Sequence, residues 1–152
     1  MTVDQPRTFE QRKADTLAKL TAPAADAWVA TAGAGAPYLV PLSLAWIDER
    51  IVLATEADSV TGRNLTSQRA ARLGLGLTRD VVMIDAAVEA SYGLDDVPAS
   101  LSEQYAAQSD WDPRKSGDGM RFFVLRPRRI QAWRELDEFP GRTLMRDGAW
   151  AG

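Results

Sequence analysis

Alternation of apolar and polar residues is the main pattern of this chain, and it predicts a structure built largely of strands. From Tyr38 to Trp46, bulky residues at even positions alternate with smaller, partly polar ones at odd positions. Such a segment has two unlike faces, so we expect the bulky face in the core and the other free to hold something flat. Further strands are predicted at 28–31, 51–55, 73–77 and 81–90, and on either side of Pro127 at 121–126 and 128–135.

Helix signals are fewer and stand between the strands. Thr8 and Gln11 fit a capping box, which predicts a first helix from Phe9 to about Leu20. Ser59 is a good N-cap for a short helix over 60–68, and a further helix is predicted over 98–108. Residues 109–119 are polar and rich in Gly and Pro, so we expect a mobile loop there, and 142–150 predicts a hairpin around Asp147-Gly148.

Together these elements predict a mainly β fold. Six main strands, mostly adjacent in sequence and joined by short turns, favour an antiparallel barrel with a few helices over a doubly wound α/β fold. At 152 residues, one domain is expected over 1–152. It comprises an N-terminal helix region at 1–24 and a C-terminal extension at 136–152.

One predicted strand has a face without side chains. Leu73, Leu75 and Leu77 fall on one face, and Gly74 and Gly76 fall on the other. A bare strand face permits close approach by a ligand, another backbone or a partner subunit, but a sharp bend at a barrel corner explains the glycines equally well.

The start of the second helix has the properties of an anion site. The amides of Val60, Thr61 and Gly62 have no intrahelical acceptor there, and the helix terminus favours negative charge. The hydroxyls of Ser59 and Thr61 are further donors, Arg63 adds a permanent charge, and Gly62 lets the backbone approach closely. The alternative interpretation is an ordinary capped helix.

Composition excludes several kinds of chemistry. The chain has no histidine and no cysteine, so it cannot itself supply a Ser-His-Asp triad, a cysteine nucleophile, a Cys/His zinc site or a histidine-ligated haem. Only carboxylate sites for hard cations remain open to this composition, and we predict no metal site. Asp85 and Glu89 fall on one strand face and could suggest acid–base work, but at this spacing solvated residues are more common. An enzyme of this composition would depend on an organic cofactor for difficult chemistry.

Charge is unevenly placed, although the formal net charge is only −3. Residues 80–112 hold eight acids and no Lys or Arg, whereas 120–152 hold seven arginines against four acids. Solvated strand faces, pairing between subunits and an anionic ligand all fit this division, but the acidic balance speaks against nucleic acid. The preponderance of arginine over lysine and the many alanines hint at a GC-rich bacterial genome.

No targeting or membrane segment is expected. The N-terminus lacks an apolar signal-peptide core, and the longest mostly apolar run, 37–47, is far shorter than the about 20 residues of a membrane-spanning helix. Together with the absence of cysteine, this predicts a cytoplasmic protein without a membrane partner.

The order of several short segments resembles the pyridoxamine 5′-phosphate oxidase-like flavin-binding split barrels. The resemblance covers residues 27–90 well and 121–133 more loosely. Its segments are Trp28-Val29-Ala30-Thr31, a Gly-containing turn with Pro37, Val40-Pro41-Leu42-Ser43, Leu53-Ala54-Thr55, Ser59 to Leu65, and Arg72-Leu73.

The resemblance implies a homodimer with two FMN molecules in clefts between the subunits. Val40, Pro41, Leu42 and Ser43 would lie along the isoalloxazine ring. Near the phosphate, the resemblance implies Thr55, Ser59, Thr61 and Arg63, with Asn64 as a neighbouring polar contact. Two positions depart from the family, because Val60 and Thr61 stand where many members have Arg-Lys, leaving Arg63 as the local cation.

The resemblance implies an FMN-dependent oxidoreductase that transfers hydride to or from a small organic substrate. The true vitamin-salvage oxidases use a C-terminal arginine–histidine pair, which this chain lacks. No catalytic residue is assigned, since packing explains Tyr38, Tyr92 and Tyr105 better than proton relay. Three alternatives stay open. The first is a reductase dependent on the deazaflavin coenzyme F420, with Arg69, Arg72 or the terminal arginines as extra cations. The others are a non-catalytic flavin-binding or sensing module and a barrel that has lost its cofactor.

Overall fold

The computed structural model describes residues 5–152, which form eight strands and three helices. The helices are α1 (Phe9–Thr21), α2 (Val60–Gln68) and α3 (Ala99–Ser109). The strands are β1 (Asp26–Thr31), β2 (Tyr38–Ile47), β3 (Arg50–Glu56), β4 (Ala70–Leu77), β5 (Asp80–Gly93), β6 (Met120–Trp133), β7 (Thr143–Arg146) and β8 (Ala149–Trp150).

The first six strands close into an antiparallel barrel, as the alternation pattern predicts. The sheet order is β3-β2-β1-β4-β5-β6-β7-β8, and pairing of β3 with β6 closes the ring. The crossing from β3 to β4 is made by α2, whereas β1–β2, β2–β3 and β4–β5 are hairpins. The predicted terminal hairpin is confirmed as β7 and β8, which extend the sheet beyond β6.

Apolar side chains are buried on both faces of β3, and they divide into two clusters. Ile51 and Leu53 belong to the main cluster, which also receives Leu20 of α1. Val52 and Ala54 belong to the second, where Tyr105 of α3 covers them. The helices α1 and α3 thus complete two separate apolar layers around one sheet.

The predicted break at Pro127 is wrong, because β6 runs unbroken from Met120 to Trp133. The ladder with β5 pairs Asp85 with Arg129 and Ala86 with Pro127, so Arg128 is an extra residue in a β-bulge. Pro127 itself is buried. A bulge lets the strand absorb the missing amide of proline without ending.

Two further expectations about strand faces need correction. Tyr38, assigned to the core face of β2, is 39% exposed, although Leu44 further along that face is fully buried. Leu73 and Leu75 are buried as predicted, but Leu77 is 77% exposed. Gly76 has φ 79°, and a Cβ there would lie 2.5 Å from the Asp80 carbonyl oxygen, so it serves the turn into β5.

The N-terminal segment is fastened to the C-terminal region by a buried ion pair. The Arg7 guanidinium donates to both carboxylate oxygens of Glu138, at 3.0 and 2.7 Å, and the Arg7 amide donates to Oε2 at 2.8 Å. The capping box at Thr8 and Gln11 is present as predicted. Residues 113–115 of the predicted loop form a short 3-10 turn capped by Asp112, and the mobility of that loop stays a prediction.

Candidate functional site

The predicted helix start at Ser59 is confirmed, and it leaves two backbone donors free. Ser59 caps α2 by accepting from the Gly62 amide at 3.0 Å, and its carbonyl accepts from the Arg63 amide at 2.9 Å. The amides of Val60 and Thr61 lie in the first turn of α2, where no earlier helical carbonyl can accept from them. No other group among residues 5–152 accepts from them either. Val60 is partly buried and Thr61 is only 2% exposed, so this helix terminus offers at most two amides, not three, to an anion, and the Thr61 hydroxyl is not on the surface.

The Ser59 hydroxyl is already committed as a donor. It donates to the carbonyl oxygen of Glu56 at 2.7 Å, and it lies 3.4 Å from the Thr55 hydroxyl. A phosphate at this site would find the Thr55 hydroxyl more readily available than that of Ser59.

Gly62 is needed for a reason that the sequence did not reveal. A Cβ at this position would collide with the carbonyl oxygen of Glu56 and lie 2.8 Å from that of Ala57. The close approach is therefore between α2 and its own preceding loop, not between α2 and a ligand.

Arg63 lies on the exposed surface beside the helix terminus. Its Nη1 donates to the carbonyl oxygen of Asp58 at 2.8 Å, which fixes the guanidinium over the loop before α2. No carboxylate among the described residues forms an ion pair with it. Its guanidinium is consequently not paired with a carboxylate at the positive end of the helix.

Asn64 joins α2 to the end of β1. Its Nδ2 donates to the Thr31 hydroxyl at 3.1 Å, and a side chain at Gly33 would collide with its amide. Asn64 thus supports the wall of the site, and its predicted role as a cofactor contact stays a prediction.

The second half of the candidate site is an unpaired edge of β2. Residues 38–43 pair with β1, but the ladder with β3 extends only from Leu44 to Ile47. Extending that register would place Leu42 opposite Thr55, so Val40, Pro41, Leu42 and Ser43 flank the gap across from the β3 end that leads into α2. The strands separate here, which is the split of the barrel.

Pro41 fits this edge without losing a ladder bond. The Leu44 amide donates to the Ala25 carbonyl on the β1 side, and amide directions alternate along a strand. The amide that proline lacks would therefore point into the split, where β2 has no strand partner among the described residues.

Tyr105 closes the inner end of the split. Its hydroxyl donates to the Ser43 carbonyl oxygen at 3.2 Å, and its ring packs edge-on against Phe122 with 5.6 Å between centroids. Burial raises the pKa of the Tyr105 hydroxyl above its ordinary value. The residue is fully buried, which agrees with packing rather than proton relay.

The structure therefore brings the predicted residues together on two sides of one split, the β2 edge and the β3–α2 junction. Sequence reasoning missed Thr31 and Gly33, whose role depends on a contact with Asn64, and it assigned Tyr105 no site role. No local pattern marks these contacts, because each joins segments distant in sequence.

Exposed apolar side chains lie together on the outward face of β1 and β2. Trp28 is 56% exposed and pairs with Pro41 across the ladder, and Leu39 is 59% exposed. A nearby open groove of about 510 Å³ runs over the ends of β1, β4 and β5, with Arg72, Asp85 and Arg128 at its polar rim. Contiguous exposed apolar residues of this kind are typical of an interface.

Among residues 5–152, no group of His, Cys, Asp and Glu could hold a metal ion. None of the helices in that range is long and apolar enough to cross a membrane.

Comparisons with known proteins identify relatives of the fold. No protein-family model and no curated protein sequence matches the chain. An F420 reductase matches with a TM-score of 0.60 and 16% identity, over 74% of this chain and 94% of that one. A candidate pyridoxamine 5′-phosphate oxidase from Listeria innocua matches with a TM-score of 0.61 and 11% identity, over 82% and 98%.

A FAD-binding protein from Mesorhizobium loti matches with a TM-score of 0.55 and 17% identity, over 78% of this chain and 89% of that one. These identities establish shared architecture and no more. The chain has the split-barrel fold of which these proteins are examples.

Proposed function

We propose that this protein is a member of the pyridoxamine 5′-phosphate oxidase-like family that binds FMN in the split and acts as an oxidoreductase on a small organic substrate. The observation that carries the proposal is the unpaired β2 edge opposite the positive end of α2. A flavin has a flat ring and an anionic tail, and these two features match the two sides of the split.

The phosphate end rests on the α2 terminus. The free amides of Val60 and Thr61 are donors, Arg63 provides the charge, and Thr55 contributes a hydroxyl beside the Ser59 cap. With Val60 and Thr61 at positions where many family members have cations, Arg63 carries most of the local positive charge.

The ring end rests on Val40, Pro41, Leu42 and Ser43. Backbone groups of an unpaired strand edge can hydrogen-bond the polar edge of a flavin, and the apolar side chains exclude water. Bound FMN would supply hydride acceptance and donation, whereas these residues would orient the ring. No side chain is assigned to proton transfer.

The proposal includes a homodimer with FMN at the subunit interface. Trp28, Leu39 and Pro41 form an exposed apolar surface next to the ring-binding segment. A second subunit packed there would cover the apolar residues and the open side of the cofactor together.

A deazaflavin-dependent reductase is the second candidate, favoured by the structural similarity to the F420 reductase. The two cations nearest in sequence are already engaged, however. Arg69 donates to the Val88 carbonyl at 2.9 Å, and Arg72 donates to the Asp85 carboxylate at 2.6 Å. FMN, with its shorter anionic tail, needs fewer additional cations, so we prefer it. A sensing module that holds flavin without turnover is the third candidate.

Absorption of the freshly purified protein tests the cofactor. An oxidised-flavin spectrum, or saturable quenching of FMN fluorescence by the apoprotein, is expected. A colourless protein that takes up neither FMN nor F420 would contradict the proposal, and retention of F420 alone would favour the second candidate.

Replacing Arg63 tests the phosphate site. Arg63→Ala should weaken FMN binding about tenfold, because it removes one charge-assisted contact. The matched control is Arg79→Ala, which removes an exposed arginine paired with Glu135 at 3.1 Å. Equal FMN affinity in wild type and Arg63→Ala would refute this placement of the phosphate.

Reduction of the loaded protein separates an enzyme from a sensor. We expect bound FMN to be reduced by NADH or NADPH and reoxidised by an added acceptor. Flavin that is bound but not reduced by either donor or by reduced deazaflavin would favour the sensing module.

A further inference from the structure

An arginine-lined pocket lies outside the split, between β6, β7 and the loop that joins them. The pocket has a volume of about 330 Å³, and its main lining residues are Arg129, Gln131, Pro140, Arg142, Thr143 and Arg146. Three guanidinium groups therefore border one small concave space. We refer to it as the arginine pocket.

The β-bulge explains why Arg129 faces outward. Leu125, Pro127 and Ile130 are buried, whereas Arg128 and Arg129 are both exposed. Strict alternation after Leu125 and Pro127 would have directed residue 129 into the core. The extra residue at Arg128 shifts the phase by one and turns Arg129 out towards the pocket.

Neutral groups hold two of the arginines in place. In the amide orientation that satisfies its neighbours, Oε1 of Gln131 accepts from Nη2 of Arg129 at 2.7 Å and from Nε of Arg142 at 3.3 Å. The Arg142 guanidinium also lies 3.8 Å from the centre of the Phe139 ring and donates to the Phe139 carbonyl at 2.9 Å. These contacts order the side chains without neutralising their charges.

Two acids near the pocket are engaged elsewhere. Asp85 lies opposite Arg129 in the β5–β6 ladder, but its carboxylate binds Arg72 in a two-bond contact at 2.6 and 3.3 Å. Glu138 is buried against Arg7. Within residues 5–152, Arg129, Arg142 and Arg146 form no ion pair, so all three guanidinium groups of the pocket are free to pair with an anion.

The loop beneath the pocket is rigidly anchored. Arg12 is buried, and its Nη1 donates to the Gly141 carbonyl at 2.6 Å and to the Glu138 carbonyl at 3.3 Å. These bonds fix the backbone on which Arg142 stands. An anion site with preset donors loses little side-chain and loop entropy on binding.

We propose that the arginine pocket binds the phosphate group of a small phosphorylated molecule. Guanidinium groups match phosphate oxygens in a planar, two-bond geometry, and a tetrahedral group has enough oxygens for three such donors. A phosphate group has more oxygens and more negative charge than a single carboxylate, so it matches three guanidinium groups better. Within one subunit the pocket shares no lining residue with the proposed FMN site, so the two can be tested separately.

Calorimetric titration with inorganic pyrophosphate at constant ionic strength tests the site. Saturable binding is expected for the wild type. In the double variant Arg129→Gln/Arg142→Gln, affinity should fall about tenfold or more, because at least one charge-assisted contact is lost. Thermal unfolding of each variant establishes that it is folded, and Arg79→Gln is the matched control for loss of an exposed arginine.

The same titration on Arg63→Ala distinguishes this pocket from the α2 terminus. Undiminished pyrophosphate binding there, with loss in the double variant, supports the proposal. Absence of saturable binding, equal affinity in wild type and double variant, or loss in Arg63→Ala would overturn it. Equal affinity for citrate would overturn the assignment to phosphate, and tighter binding of a single-stranded oligonucleotide at these arginines would overturn the assignment to a small molecule.

Discussion

The ion pair between Arg7 and Glu138 should make stability depend on pH in a way that Glu138→Gln removes. The Glu138 side chain is 3% exposed and that of Arg7 is 8% exposed. Besides the Arg7 bonds, Oε1 accepts from the Arg134 amide at 2.9 Å. The carboxylate therefore fastens the segment before α1 to the turn after β6.

The magnitude follows from the pKa. Hydrogen bonding from Arg7 lowers the pKa of Glu138 from 4.5 to about 2, despite the opposing effect of burial. Each pKa unit corresponds to about 1.4 kcal/mol, so the ionised form adds about 3 kcal/mol to the free energy of unfolding. Because the folded-state pKa is the lower one, this contribution is complete above pH 4.5 and is lost as pH falls towards 2.

Urea denaturation of wild type and Glu138→Gln from pH 7 to pH 2 measures this contribution. The wild type should be more stable at pH 7. The difference in free energy of unfolding between the two proteins should narrow by about 3 kcal/mol as pH falls from 7 to 2. The matched control is Asp137→Asn, which removes an exposed neighbouring acid and should leave the free energy of unfolding at pH 7 close to that of the wild type. A gap between wild type and Glu138→Gln that stays constant from pH 7 to pH 2 would refute the reasoning.

Two further substitutions test the walls of the split. Gly62→Ala should lower the free energy of unfolding by about 1–3 kcal/mol, because its Cβ would collide with the Glu56 carbonyl. Gly35→Ala is the control: its Cβ meets no atom within 4 Å, so its thermal denaturation should match that of the wild type. Tyr105→Phe removes the 3.2 Å hydrogen bond to the Ser43 carbonyl and should cost about 1 kcal/mol in urea denaturation; an unchanged midpoint would mean that the bond contributes nothing.

The barrel could be predicted because its signals are local. Alternation in the Tyr38–Trp46 segment, the Ser59 cap and the capping box at Thr8 each act within a few residues. The error at Pro127 shows the limit of such signals. Proline removes one amide whether it ends a strand or sits in a bulge, and only the partner strand, with Asp85 opposite Arg129, decides between the two.

The candidate site could be predicted only in part, for the same physical reason. The helix terminus at Ser59 is visible in the sequence, because an N-cap and its amides are adjacent. Other facts about the site depend on groups up to 19 residues away. These are the close contact of Gly62 with its own preceding loop and the hydrogen bonds that already occupy Arg69 and Arg72. A sequence shows which donors exist, but tertiary contacts decide which remain free.

Tyr105 sets an inner limit for any ring bound along β2. Its hydroxyl donates to the Ser43 carbonyl oxygen, one residue before the β2–β3 ladder begins at Leu44, and its ring packs in the second apolar cluster with Val52 and Ala54 of β3. The Ser43 carbonyl oxygen therefore already accepts one hydrogen bond, and the Ser43 side chain is half-buried at the edge of the split. Because amide and carbonyl directions alternate along β2, the backbone groups of Leu39, Pro41 and Ser43 face the split, whereas those of Val40 and Leu42 face β1. A ring bound along β2 would therefore hydrogen-bond to the Leu39 backbone, the Pro41 carbonyl or the Ser43 amide.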